Sequence, residues 1–318
     1  MTMNDVNTMR AISQDVLGGP EVLKEVQVER PKPGPNQVLV RVRAAGVNPT
    51  DWKHRSGGLF LGRPPFVLGW DVSGEVAETG IGVAAFEPGD EVFGMLPYPY
   101  GAGSHAEYVI APVRALVRKP ASLDHTRAGA LPLVSLTAWQ ALTEHADLRP
   151  GQRVLIHAAA GGVGHVAVQI AKARGAYVIG TASAPKHDFL REIGVDEAID
   201  YRTTEVTETV RDVDVVLDTI GGDTSVASLK VLRPGGVVVS ILPGGAAGFH
   251  EEAERLGVRA VQMLVDADRA GMEAIAELAE SGKLKATIAG TFPLADAAKA
   301  HALGETGRTT GKLVLLTD

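Results

Sequence analysis

Short apolar–polar alternations fill the first third of the chain, and longer apolar runs joined by helical periodicity follow. Between Met9 and Asp124, the segments 38 to 47, 72 to 80, 89 to 95 and 106 to 112 are broken by Gly and Pro. In the first of them Val38, Val40 and Val42 alternate with Leu39, Arg41 and Arg43. A period of two predicts β-structure with little helix. From about His125 the texture changes. Val154, Leu155 and Ile156 form an apolar run, a cluster of small residues follows, and Val163, Ala167, Ile170 and Ala171 then recur at helical spacing before a second apolar run at 177 to 181. The order is strand, tight turn, helix, strand. Further strands are predicted at 197 to 200, 213 to 220, 236 to 241 and 258 to 265, separated by helical segments such as 223 to 232. Six strands with intervening helices predict an α/β fold: a doubly wound parallel sheet of order 3-2-1-4-5-6, with ligand at the carboxyl ends of strands one and four.

After Val265 come a helix at 271 to 282, an extended segment at 286 to 294, a helix at 295 to 305 and a strand at 312 to 316. They do not extend the six-stranded register and are assigned to the first domain. The division expected is therefore 1 to 124 with 266 to 318, and 125 to 265 between them. Residues 1 to 8 are polar and aperiodic, so ordered structure is expected from near Met9.

The turn between the first strand and helix reads Ala159-x-Gly161-x-x-Gly164, a G-x-G-x-x-G fingerprint with Ala in the first place. Gly161 lets the backbone approach a pyrophosphate, Gly164 lets the helix pack closely on the strand, and the free N–H groups at the helix start, around Gly162 and Val163, face the anion. A small-residue packing turn is the plainer reading. The flanking strand, helix and second strand stand where a dinucleotide seat requires them.

Composition narrows the partners. The chain has 318 residues, a formal net charge of −7 and no Lys/Arg-rich run, which argues against nucleic acid and anionic membranes and for small molecules. No Cys is present, so disulfides, thiolate chemistry and Cys-ligated zinc are excluded. The first residues lack an apolar signal core and no apolar run approaches the roughly 20 residues of a membrane span, so a cytoplasmic protein is expected. The sequence around Gly311 and Lys312 lacks the first Gly of a P-loop, no G-x-S-x-G elbow occurs, and the nine His have no H-E-x-x-H spacing. His157, on the first strand of the second domain, is read as a packed histidine.

GVNPTDWKHRSG (46 to 57), GWDVSGEV (69 to 76), SLTAWQAL (135 to 142), the Gly-rich turn, PGG (234 to 236) and GRTTGKLVLL (307 to 316) together resemble the zinc-independent quinone oxidoreductase branch of the medium-chain dehydrogenase/reductase superfamily. The resemblance runs from Met9 to Leu316. It implies a GroES-like catalytic domain built from both ends of the chain, a Rossmann domain inserted between, and often a homodimer. Where zinc-dependent relatives carry a catalytic Cys and a His, this chain has Asn48 and Trp70, neither a plausible zinc ligand.

An NAD site usually carries Asp or Glu at the end of the second strand. Here that strand ends in Thr181, Ala182 and Ser183, followed by Lys186, a hydroxyl and an ammonium suited to a 2′-phosphate. The resemblance adds Tyr201 for the same phosphate, with Arg202 as a helper, so NADPH is the cofactor expected. A solvated surface lysine and simple edge packing are the plain alternatives for Lys186 and Tyr201. The resemblance also implies that Thr137, Ser240 and Leu242 lie near the nicotinamide with Gly311 and Lys312 close by, that Asn48 and Asp51 line the cleft floor, and that Lys53 donates to an enolate or quinol oxygen. Asn48 before Pro49 also reads as a turn residue, Asp51 as a helix cap, and Lys53 as a solvent-facing lysine. Trp52, Trp70, Tyr98 and Tyr100 would shape a pocket for a planar substrate, or pack a core or lid.

The function expected is hydride transfer from NADPH to a quinone or to the activated C=C of an enone or enal. A trans-acting enoyl reductase and a non-catalytic NADPH-binding redox sensor remain alternatives, because a Rossmann domain by itself shows binding and not chemistry.

Overall fold

The structure is a computed structural model; residues 8–242 and 246–317 are described. In chain order the strands are β1 (Thr8–Gln14), β2 (Lys24–Glu29), β3 (Gln37–Val47), β4 (Phe66–Val67), β5 (Asp71–Thr79), β6 (Glu91–Met95), β7 (Tyr108–Pro112), β8 (Leu116–Arg118), β9 (Arg153–Ile156), β10 (Tyr177–Ala182), β11 (Glu197–Asp200), β12 (Val213–Asp218), β13 (Leu232–Ser240), β14 (Arg259–Gln262), β15 (Ile288–Pro293) and β16 (Lys312–Leu316). Contacts divide the chain into two compact units. One takes in the chain up to Leu133, Asp266–Glu280 and the chain from Ala286 on; the other holds Val134–Val265 with Ser281–Lys285.

In the first unit β3 is the hub. It pairs antiparallel with β5, β7 and β16 in a sheet of order β15-β16-β3-β5-β6-β8, so the last strand of the chain lies against one of the first. The alternation seen in the sequence is only partly a one-sided pattern. Val38, Leu39, Val40 and Val42 are all buried, and only the Arg positions face outward, Arg43 pairing with Glu75. A smaller sheet, β2-β1-β4, escaped the sequence reading because Lys24–Glu29 is mostly exposed and carries little apolar signal. The helix His125–Ala130, expected with the second domain, packs on β3 and β5 of this unit. Gly129 has no room for a Cβ against the Ala44 carbonyl oxygen, 2.8 Å away, and the His125 ring reaches Ser73 Oγ at 2.8 Å and Glu91 at 2.9 Å.

The second unit is the six-stranded parallel sheet β11-β10-β9-β12-β13-β14, which is the 3-2-1-4-5-6 order predicted. Leu155, Ile179, Ile199, Val216, Val238 and Phe249 form a core cluster on it, each burial contributing about 1.5–3 kcal/mol against the entropy of ordering. Order reverses between β9 and β12, which opens the crevice where such sheets bind ligands. No helix among the described residues is long and apolar enough to cross a membrane.

Candidate functional site

Every candidate of the second unit except Thr137 follows the carboxyl end of a parallel strand and so lies along one edge of the sheet. The turn follows β9, Ser183 and Lys186 follow β10, Tyr201 follows β11, and Ser240 with Leu242 ends β13. Thr137 lies on the helix Pro132–Trp139 and is buried.

The turn leaves β9 through His157 and passes Ala158, whose φ of 45° is the left-handed region that non-glycine residues seldom adopt. It is held from three sides. Ala158 N donates to Thr181 Oγ1 at 3.1 Å, Ala159 N donates to Thr181 O at 2.9 Å, and His157 N donates to Leu217 O at 3.1 Å. The helix Gly162–Ala173 then starts at Gly161 with no side chain capping it, so its first N–H groups are open to an anion, the arrangement that suits a pyrophosphate. Gly164 is the residue this geometry cannot replace. A Cβ there would stand 2.3 Å from Ala158 O and 2.7 Å from Ala159 Cα, both backbone. The first-place Ala159 is fully buried beneath the turn.

His157 is packed, as the sequence suggested, and its tautomer follows from its neighbours. Ser228 Oγ donates to Thr224 O at 2.6 Å, so it accepts from His157 Nε2 at 3.0 Å; Nδ1 is then the acceptor facing Thr181 Oγ1 at 3.3 Å. Burial lowers the His157 pKa, which keeps the ring neutral in this role. Across the crevice Asp218 ends β12. Its Oδ1 accepts from Ile220 N and Gly221 N, its Oδ2 accepts from Ser225 Oγ, and Thr219 Oγ1 donates to His157 O at 2.9 Å. The sequence reading passed over Asp218 and Thr219, although an Asp between an apolar strand and Gly-Gly is the available signal.

Lys186, Tyr201 and Arg202 form a group after β10 and β11. Burial lowers the Lys186 pKa, Tyr201 raises it and Arg202 lowers it, and the Arg202 guanidinium stands 5.9 Å from the Tyr201 ring centre. Tyr201 is 56 % exposed, so it packs no core. No Asp or Glu follows β10 before Asp188.

In the first unit Asn48, Asp51, Asp71 and Lys312 form a fully buried polar cluster. Asn48 caps the helix Pro49–Gly57, and the Asp51 carboxylate caps it in turn, accepting from Asn48 N at 2.6 Å and from Gly69 N at 3.1 Å. Asn48 Nδ2 donates to Asp71 Oδ2 at 2.8 Å, and Asp71 Oδ1 accepts from Leu133 N at 2.6 Å. The Lys312 ammonium donates to Val47 O at 3.0 Å and to Asn48 Oδ1, and stands 3.5 Å from Asp71 Oδ2. Gly311 makes the entry to β16 possible, with φ of 80° and no space for a Cβ against the Thr287 carbonyl. Two carboxyls and one ammonium share this dry site. Burial above all pushes Asp51 up to about 7; Asp71 adds to that, while the N–H donors of Asn48 and Gly69 and the Lys312 ammonium pull it down. Burial raises Asp71 as well, and the Lys312 ammonium and the Asn48 and Leu133 donors oppose that rise. Lys53, on the same helix, is half-buried and its ammonium has no partner among the described residues.

The donor set does not fit zinc. Asn48 Oδ1 already accepts from Lys312, the buried Trp70 indole has no lone pair to give, and the chain has no thiolate. An ammonium, not a divalent ion, supplies the positive charge at this place.

A β-rich unit together with a six-stranded parallel sheet carrying this turn defines a dinucleotide-dependent oxidoreductase. Residues 34–121 match the alcohol dehydrogenase GroES-like domain, and residues 193–315 match the zinc-binding dehydrogenase family. The quinone oxidoreductase structure from Coxiella burnetii superposes with a TM-score of 0.93 at 38% identity, over 98% of this chain and 100% of that one. The Escherichia coli quinone oxidoreductase complexed with NADPH gives 0.87 at 29% identity, over 97% and 100%. The 2-haloacrylate reductase of Burkholderia sp is 37% identical over 94% of this chain and 96% of its own. The chain belongs to the quinone oxidoreductase-like branch of the medium-chain dehydrogenase/reductase superfamily, and it is an enzyme that uses a nicotinamide cofactor.

Proposed function

We propose that this enzyme transfers hydride from NADPH to a quinone or to the activated C=C of an enone or enal. The observation that carries the cofactor choice is the group Lys186, Tyr201 and Arg202 at the sheet edge, two cations and a phenol where an NAD site would present a carboxylate. The E. coli relative, which binds NADPH, supports the same choice. In this reading Ala159, Gly161, Gly162, Val163 and Gly164 seat the pyrophosphate, and Ser183, Lys186 and Tyr201 hold the 2′-phosphate. Thr137, Ser240 and Leu242 border the nicotinamide. Asn48 and Asp51 shape the floor of the catalytic unit, Lys312 and Gly311 hold that floor in place, and Lys53 reaches the acceptor. The bound cofactor supplies the hydride; the chain's own residues orient it and exclude water. The compartment is the cytoplasm and the assembly a homodimer, the latter open to light scattering on the purified protein.

The test compares cofactors. Lys186→Ala weakens NADPH binding about tenfold or more in a fluorescence titration, the loss of one charge-assisted phosphate contact, and leaves NADH within about twofold. Equal losses for both overturn the 2′-phosphate role. Turnover of NADPH with a panel of quinones and enals supports the reaction class; binding without turnover across the panel turns the reading toward a redox sensor.

A further inference from the structure

A hydrogen-bond chain ends on a phenol in the first unit. His54 Nδ1 lies 2.8 Å from the Thr50 carbonyl oxygen. A carbonyl only accepts, so Nδ1 carries the hydrogen, and His54 is the Nδ1–H tautomer. Thr50 Oγ1 lies 3.1 Å from the same Nδ1 and 3.1 Å from the Tyr98 hydroxyl. Facing an N–H, Thr50 Oγ1 accepts on that side, and on the other it either gives its hydrogen to the Tyr98 oxygen or accepts from the Tyr98 hydroxyl. With Thr50 as the donor, the Tyr98 hydrogen is available to a ligand.

Aromatic rings surround this phenol. Tyr98 stands edge-on to Trp70 at 5.3 Å, to Phe60 at 6.3 Å and to His54 at 6.4 Å between ring centres, and Phe60 contacts Tyr100 at 6.2 Å. Trp70 is fully buried, while Phe60 is 40 % and Tyr100 75 % exposed, so the ring cluster opens to the outside at one side. An open apolar wall of ring faces and edges suits a planar conjugated molecule, and the Tyr98 phenol within it suits that molecule's carbonyl oxygen; the Trp70 indole N–H, also without a partner among the described residues, is fully buried behind it. Burial, and the Asp51 carboxylate beyond Thr50, raise the Tyr98 pKa, which keeps the phenol a donor at neutral pH.

Resting on the proposed reaction, we infer that Tyr98 is a catalytic residue: its hydroxyl hydrogen-bonds the carbonyl oxygen of the enal, enone or quinone and gives that oxygen its proton as hydride arrives, while Thr50 and His54 act as positioning residues. For an enal, hydride from the reduced cofactor forms the new C–H bond at the β-carbon, the C=C electron pair shifts to leave an enolate, and the enolate oxygen takes the Tyr98 proton. The enol so formed tautomerises to the saturated aldehyde in water. Tyr98 regains a proton from solvent at the open side, because a neutral imidazole does not release Nδ1–H to a threonine. The cofactor is oxidised, the acceptor gains two electrons and two hydrogens, and nothing else is consumed.

Two variants and two readouts test this. Tyr98→Phe keeps the ring contacts and removes only the hydroxyl; Thr50→Val keeps the shape and removes the orienting bond. With NADPH and an enal, Tyr98→Phe is expected to lower kcat about 100-fold with KM within about threefold, the usual range for a lost general acid. Thr50→Val is expected to lower kcat about 5- to 10-fold, with the Tyr98 hydrogen misdirected. The second readout needs neither cofactor nor turnover: 4-hydroxybenzaldehyde, a planar carbonyl compound, is titrated into the cofactor-free protein and its absorbance shift followed. Tyr98→Phe should bind it about tenfold more weakly. Variants matching the parent within twofold in kcat and in this titration overturn the Tyr98 role. If the parent itself reduces no quinone or enal, the proposed reaction fails, and the titration alone still decides whether Tyr98 holds a carbonyl oxygen.

Discussion

Lys312 tests whether the buried cluster of the first unit is understood. Its ammonium is 3.5 Å from Asp71 Oδ2, and the two side chains are 3 % and 0 % exposed. At that separation, with an effective dielectric constant near 20, the attraction is about 5 kcal/mol. Removing one partner of such a pair usually costs about 3–5 kcal/mol, since the other charge stays buried alone. Lys312→Met keeps the aliphatic stem and removes the charge, so a loss of about 3–5 kcal/mol is expected at pH 8. The loss should shrink toward pH 5. Burial already raises the Asp71 pKa and Lys312 opposes that rise; without Lys312 the folded-state value climbs further above the unfolded one. A carboxyl whose folded pKa is raised loses stability as pH climbs from its unfolded value through its folded value, and regains it on the way down.

The second variant separates charge from packing. Asp71→Asn added to Lys312→Met removes the stranded carboxylate, and the amide oxygen it introduces still accepts from Leu133 N. Asn48 Oδ1, released from Lys312, can turn to accept from the new amide, while Val47 O lacks its Lys312 donor in the single and the double variant alike. The double variant should recover about 2 kcal/mol or more of the loss at pH 8. The assay is urea unfolding of the cofactor-free protein followed by tryptophan fluorescence, with Trp52 and Trp70 reporting on the first unit. A loss below about 1 kcal/mol for Lys312→Met, the same loss at pH 5 and pH 8, or no recovery in the double variant would refute the buried-pair reasoning.

Two further outcomes follow from the same geometry. Gly164→Ala places a Cβ 2.3 Å from the Ala158 carbonyl oxygen, so the turn must shift; cofactor affinity by calorimetry should fall at least tenfold, while Gly57→Ala, with nothing within 4 Å of its Cβ, leaves it unchanged. Asp51, pushed up to about 7 from an ordinary value near 4, makes the parent protein less stable as pH rises from about 4 through 7, by up to about 4 kcal/mol; Asp51→Asn should flatten that slope, and a parent curve already flat between pH 5 and 8 would sink the assignment.

What the sequence made legible divides along the range of the interactions. The six strands, their order and the Gly-rich turn were readable because each rests on local pattern: an apolar run, small residues at fixed spacing, a helical period. Lys186 was read from the residues after the second strand and Tyr201 came with the family resemblance; standing after adjacent parallel strands, the two fall on the same side of the sheet. The cluster around Lys312 was different. Its four side chains come from positions 48, 51, 71 and 312, and no local pattern joins the last strand to a helix cap near the start. Family resemblance put Lys312 near the cofactor; the structure shows its ammonium against Asn48 and Asp71, which no local pattern announced. The Tyr98 chain was hidden for the same reason: Thr50 and His54 share one helical turn, but the phenol arrives from 44 residues beyond His54. Long-range pairing of polar groups leaves no period in the chain. In this protein such pairing sets both the charge balance around Lys312 and the surroundings of the Tyr98 hydroxyl.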